Sequence, residues 1–163
     1  MISVRPARPN DQETLGRYGG ALARQHYSDD PHRFIRVENP EASYGRYLVS
    51  QISGPDSAVF VAENQGTVIG YVWTTLEGTD WAKLRGPCGI VQDIYVDPTA
   101  RQRGAGRALL TAALDWIRSK GRSMVVLMTK TRNESAHRLF TSFGFRPTMI
   151  EMTLDAEDGE ARG

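Results

Sequence analysis

At 163 residues and a formal net charge of +1, the chain is long enough to bury one real core. It is too evenly charged for a global attraction to nucleic acid or to a membrane surface. No apolar run nears eighteen residues, and residues 1–6 lack the apolar centre of a secretory signal, so neither a membrane span nor export is expected. The single cysteine, Cys88, rules out an intrachain disulfide and suits a reducing cytoplasm; its plain reading is a small residue in a loop ahead of a strand.

Ile2-Ser3-Val4-Arg5 alternates like a half-buried first strand. Asn10 to Glu13 resembles a capping box, and Leu15, Tyr18 and Leu22 follow at helical spacing, with fraying expected near Gln25-His26. Ser28 to Pro31 is a loop. Pro40 suits the first turn of a second helix, whose inner face carries Tyr44, Leu48 and Ile52 before Gly54-Pro55 ends it. Ala58–Ala62 and Val68–Trp73 read as strands of a hairpin turned at Asn64-Gln65-Gly66, and Leu76 to Gly89 as an irregular loop. Ile90–Val96 is a fourth strand. A third helix follows, with Leu109, Leu110, Ala113, Leu114 and Ile117 on one face. Met124–Met128 is a short, continuously apolar run, read as a buried strand. Asn133 to Ser142 is a fourth helix stopped by Gly144, Met149–Leu154 a last strand, and 155–163 a loose acidic tail. The order predicts one α/β (α+β mixed) domain over 1–154, with a mixed sheet and helices on both faces.

Between the fourth strand and third helix lies Asp97-Pro98-Thr99-Ala100-Arg101-Gln102-Arg103-Gly104-Ala105-Gly106-Arg107. Gly104 and Gly106 remove side chains where a backbone would approach a ligand, and the helix behind them offers unpaired N–H groups and a positive dipole end. This is the chemistry of a phosphate cradle, with Arg101, Arg103 and Arg107 adding charge. It is not a Walker loop, because Gly106 is followed by Arg107-Ala108. Nor is it a dinucleotide fingerprint, because position 109 is Leu and the chain about twenty residues on is apolar, with no acidic partner.

The segment does resemble the acyl-CoA signature (Gln/Arg)-x-x-Gly-x-(Gly/Ala) of the GNAT N-acetyltransferases, through Arg101, Gly104 and Gly106. About thirty residues on, Asn133, Ala136, Leu139, Phe140, Gly144 and Phe145 resemble that family's second signature, Asn-x-x-Ala-x-x-Leu-Tyr-x-x-x-Gly-Phe. Read without the family, the same helix is a core stripe with Asn133 as its cap. The resemblance implies a mostly antiparallel sheet flanked by about four helices, in which the parallel strands 90–96 and 124–128 splay to admit a pantetheine arm. It implies acetyl-CoA as cosubstrate, no metal, and a primary amine as acceptor. The cofactor residues would be Ile94, Tyr95, Val96, the loop Arg101, Gln102, Arg103, Gly104, Ala105, Gly106 and Arg107, and then Asn133, Ala136 and Phe140.

Two positions depart from the family pattern. Phe140 stands where a tyrosine often protonates the leaving thiolate, and Gln92 near where a glutamate often acts as base. Asp93, beside it, is a base by chemistry, but strand alternation sends neighbours to opposite faces unless a bulge intervenes. A backbone N–H of Ile94 or Tyr95 would meet the oxyanion, so Asp93, Gln92 and Tyr95 are the catalytic candidates. The acceptor candidates are His26, Tyr27, His32, Glu77 and Trp81, with Asp80 beside them. The resemblance also allows a homodimer. A non-catalytic acyl-CoA-binding sensor or interaction module is the alternative that Gln92 and Phe140 motivate.

Overall fold

The computed structural model describes residues 1–156. Five strands form one sheet in the order β1-β2-β3-β4-β5: β1 Ile2–Pro6, β2 Ser57–Asn64, β3 Thr67–Glu77, β4 Cys88–Val96 and β5 Val125–Leu127. The first four pair antiparallel and β5 joins β4 in parallel. The four α-helices are α1 Gln12–Asp29, α2 Pro40–Ser50, α3 Ala105–Ser119 and α4 Glu134–Ser142. The β2–β3 hairpin turns on Gln65 and Gly66, both at positive φ, which is the two-residue turn whose twist matches the strands.

The two faces of the sheet have separate cores. On one, α3 buries all five of its periodic residues, Leu109, Leu110, Ala113, Leu114 and Ile117, with Val72, Val91 and Phe140 of α4. Each fully buried Leu or Ile contributes about 1.5–3 kcal/mol, so this stripe fixes the helix that follows the loop. On the other face, α1 and α2 cover Val59, Val61 and Tyr71 with Leu15, Tyr18 and Leu48. The α1–α2 pair is close because Gly16 lies against the α2 backbone, where an added Cβ would stand 2.3 Å from the Glu41 carbonyl oxygen.

Several expectations change. Helix α1 does not fray at His26 but runs to Asp29, because His26 packs its ring on Phe34 at 4.6 Å and Asp29 is paired with Lys130. Met124–Met128 is not a buried strand. Only Val125–Leu127 is extended, at the sheet edge, and the flanking Met124 and Met128 are exposed. The expected last strand, Met149–Leu154, takes no strand partner among the described residues; its apolar side chains stand in solvent, while Glu151 pairs with Arg33. The supposed loop 76–89 is shorter and more ordered, with β3 reaching Glu77, β4 starting at Cys88, and Asp80 and Arg85 exchanging backbone hydrogen bonds. Of the expected tail 155–163, residues 157–163 lie outside the described residues.

Candidate active site

The loop after β4 is built by local hydrogen bonds. Asp97 ends the strand, and its carboxylate accepts from the Thr99 N–H at 2.9 Å and the Thr99 hydroxyl at 2.6 Å. These bonds, first of all the one from the Thr99 hydroxyl, hold the Asp97 carboxyl below its usual range. The chain then makes a short 3-10 turn, Pro98–Ala100, anchored by buried Ala100. Gln102 (φ 62) and Gly104 (φ 88) take left-handed conformations before α3 begins. A Cβ at Gly104 would meet nothing within 4 Å, so the glycine answers a backbone requirement and leaves open space above the helix N-terminus. The first helical bond runs from Ala108 N–H to the Gly104 carbonyl at 3.0 Å; the N–H groups of Gln102 to Arg107 take no main-chain acceptor among the described residues.

Beside this loop the sheet opens. Strand β4 pairs with β5 only at Gly89, Ile90 and Val91, opposite Val125, Val126 and Leu127. Beyond Val91 the two strands have no pairing, which leaves a wedge along 92–96. The Asp97 N–H donates to the Ile69 carbonyl on β3. Alternation therefore turns the Tyr95 N–H to β3 as well, and those of Ile94 and Val96 into the wedge. Of the two oxyanion candidates, only Ile94 is aimed at the opening; the Tyr95 amide is corrected to a sheet donor.

A bulge settles the question of Gln92 and Asp93. Trp73 faces Asp93 and Thr74 faces Val91, so Gln92 is the extra residue. Both side chains now serve the α1–α2 face. Gln92 donates its amide to the Thr75 hydroxyl at 3.0 Å and is exposed, while Asp93 accepts from the Tyr71 phenol at 3.2 Å. Burial pushes the Asp93 carboxyl up; the bond from Tyr71, then a pull from Tyr44 on α2, oppose this without cancelling it. Burial likewise raises both phenols, with the Asp93 charge adding to it, so they stay protonated donors.

An open groove of about 470 Å³ runs from Gln92 toward the start of β2, lined among others by Tyr47, Gln51, Asp56, Trp73, Thr75 and Glu77. Tyr47 meets Trp73 edge-on at 5.3 Å, and the Trp73 indole N–H donates to the Ser57 hydroxyl at 3.0 Å. Asp56 and Glu77 line it and no Lys or Arg does, with Glu77 held by Arg85 from outside the lining.

The remaining candidates scatter. Arg101 bends back, its Nε on the Val96 carbonyl at 3.1 Å and its guanidinium over Tyr95. Arg107 donates to Ser142 at 2.7 Å and lies over Phe143, tying α3 to α4. Arg103 is exposed. Asn133 caps α4, its carbonyl oxygen accepting from the Ala136 N–H at 3.2 Å, and Ala136 packs against the α3 core. Phe140 is buried against Phe145. Glu77 lines the groove but is paired with Arg85, whereas Trp81 stands in solvent. His26 and Tyr27 lie at the end of α1 and His32 in the loop beyond it, none of them in the groove lining. Tyr44, Tyr47, Tyr71 and Trp73 read in the sequence as ordinary core, whereas the fold sets them around Asp93 and the groove.

Loop, wedge and bulge coincide with a match to known proteins. Residues 21–145 match the acetyltransferase (GNAT) family. The chain belongs to the GNAT acetyltransferase family. A mycothiol acetyltransferase of Thermobispora bispora is 42% identical over 97 residues, covering 57% of this chain and 31% of that protein. The chain spans roughly a third to a half of the mycothiol acetyltransferases it matches. Among solved structures, a tetramutant of a Bacillus halodurans protein superposes with a TM-score of 0.81 at 22% identity, covering 94% of this chain and 99% of that one. The aminoglycoside acetyltransferase AAC(6')-Iy, bound to the bisubstrate analogue CoA-S-monomethyl-acetylneamine, gives 0.71 at 18% identity, covering 96% and 99%. The GNAT fold is thus shared along nearly the whole described chain.

Proposed function

We propose that residues 1–154 act as one N-acetyltransferase domain that moves an acetyl group from acetyl-CoA to a primary amine by direct attack on the thioester. The observation that carries this reading is the wedge: β4 leaves β5 after three residue pairs, beside a loop in which the N–H groups of Gln102 to Arg107 take no main-chain acceptor among the described residues. The residues fit the cosubstrate. The N–H groups of Gln102 to Arg107 suit a diphosphate, with charge-assisted bonds contributing about 1.5–3 kcal/mol each, and the empty space above Gly104 admits it. The wedge-facing N–H of Val96 suits an amide of the pantetheine arm, and that of Ile94 suits the oxyanion. Acetyl-CoA supplies an acetyl group activated as a thioester; the protein supplies position, a base and an oxyanion donor.

An alkyl ammonium has a pKa of about 10, so only about one amine in a thousand is neutral at pH 7. Asp93 serves as the base: burial lifts its carboxyl toward the working pH, which brings its proton affinity closer to that of the amine. Gln92, one residue away on the same face, donates to the substrate or to Thr75. The Asp56 carboxylate in the groove draws the cationic acceptor toward the face of the sheet that Asp93 shares. Phe140 has no proton to give, but a thiolate whose acid has a pKa of about 8–9 leaves without one.

Calorimetry on Gly104→Asp and Gly104→Ala tests the reading. Both carry the strain of a side chain at φ 88, but only aspartate sets a carboxylate against phosphate. Acetyl-CoA affinity is expected to fall at least tenfold further for aspartate than for alanine, and equal affinities would overturn the proposed grip. Thiol release across a panel of amines tests the transfer itself; binding without turnover on every amine would overturn it.

A further inference from the structure

Tyr18 lies on the inner face of α1, buried to 4% exposure, and it meets the start of the cosubstrate loop in two ways. Its phenol oxygen stands 2.9 Å from the Val68 carbonyl of β3 and 3.3 Å from Oδ2 of Asp97, so one proton is shared between two acceptors. Its ring lies against Tyr95 of β4, with centroids 5.4 Å apart, and Tyr95 in turn carries the Arg101 guanidinium 5.8 Å from its centroid. Core packing needs only the ring. The hydroxyl, aimed at the residue where the strand becomes the loop, is the part that packing does not need.

Asp97 is tied on every side. Its N–H donates to the Ile69 carbonyl at 2.8 Å, and its own carbonyl accepts from the Ala100 N–H at 2.9 Å. Oδ1 takes the Thr99 N–H and hydroxyl, which leaves Oδ2 for Tyr18. These bonds fix the direction in which the chain leaves β4. A swing at Asp97 would carry the N–H groups of 102–104 with it, whereas those inside α3 are held by the α3 core. Asp93 is held elsewhere, by Tyr71 and Tyr44, so Tyr18 has no part in the base.

We propose that Tyr18 is a positioning residue for the cosubstrate loop: from α1, through Asp97 and Tyr95, it sets the N–H groups that grip the diphosphate. The inference rests on the acetyl-CoA reading above. It ties the helix pair on one face of the sheet to cosubstrate binding beside the other.

Two substitutions and two acetyl donors test it. Tyr18→Phe keeps the ring on Tyr95 and removes the bond to Asp97; Tyr18→Leu removes both. Calorimetry is expected to show acetyl-CoA affinity falling about three- to tenfold in Tyr18→Phe, as for the loss of one shared bond to a charged group, and further in Tyr18→Leu. Turnover of Tyr18→Phe at saturating acetyl-CoA is expected to match the parent. The second donor, S-acetyl-pantetheine, has the thioester arm without the diphosphate, and its kcat/KM is expected to be the same for Tyr18→Phe and the parent. An equal loss toward both donors would overturn the proposal, because general damage to the wedge or core weakens both. Unchanged acetyl-CoA affinity in Tyr18→Phe would overturn it as well. A parent that does not bind acetyl-CoA would overturn the acyl-transfer reading itself, and the role of Tyr18 with it.

Discussion

Asp93 and Gln92 differ in fate because one extra residue in β4 places both on the same face of the sheet. Asp93 sinks behind two phenols, where burial raises its carboxyl; Gln92 stays at the groove. Asp93→Asn is expected to lower turnover by about 10²–10⁴-fold, the usual worth of a positioned base, with acetyl-CoA affinity unchanged by calorimetry. Tyr71→Phe removes a donor that favours the ionised carboxylate. The Asp93 carboxyl then rises further, and the acidic limb of the kcat profile moves to higher pH. A limb that stays in place in Tyr71→Phe would take Asp93 out of the titration.

At the scale of elements, the site depends on two fits. Gly16 lets α2 lie on α1 closely enough for Tyr44 to reach toward Asp93. Gly16→Ala puts a Cβ against the Glu41 carbonyl, so α2 must move. We expect a loss of about 1–3 kcal/mol in urea unfolding, the common cost of overpacking, and a fall in turnover through the displaced Tyr44. The second fit is at the start of the chain. The Arg5 guanidinium, in β1, holds Asp11 at 2.8 Å ahead of α1 and Glu63 of β2 at 2.7 Å. The Asp11 carboxyl lies below its ordinary value, chiefly through the hydrogen bond from Arg5. A carboxyl depressed in the folded state contributes stability above its unfolded pKa and loses it as pH falls through the folded one. Asp11→Asn should therefore cost about 1 kcal/mol at neutral pH, as partly exposed pairs do. It should also flatten the acid side of the stability curve measured by denaturant titration.

For the whole molecule, the chain's own pattern settles more of the fold than of the site. Periodicity places β1 to β4 and all four helices, because each buries one face and the apolar spacing records which. It misreads both ends of the open edge. Met124–Met128 and Met149–Leu154 are apolar enough to pass for buried strands, yet nothing in their composition says whether a neighbour covers them. The loop 101–107 is legible because glycines and an N-terminal helix signal are local. The roles of its arginines are not: Arg101 and Arg107 spend their guanidinium groups on Val96, Tyr95, Ser142 and Phe143, contacts set by how α3 meets β4 and α4. Asn133 shows the same division, its helix-capping role visible in the sequence and confirmed at the α4 N-terminus.

The sequence by itself determined β1 to β4, the four helices and the family resemblance, since each rests on residues close together in the chain. Only the tertiary structure decided which face Gln92 and Asp93 share, which amide opens into the wedge and where the groove beside Trp73 runs. Those depend on a one-residue bulge and on strands that part after three pairs, and both arise from contacts between distant segments that no local spacing encodes.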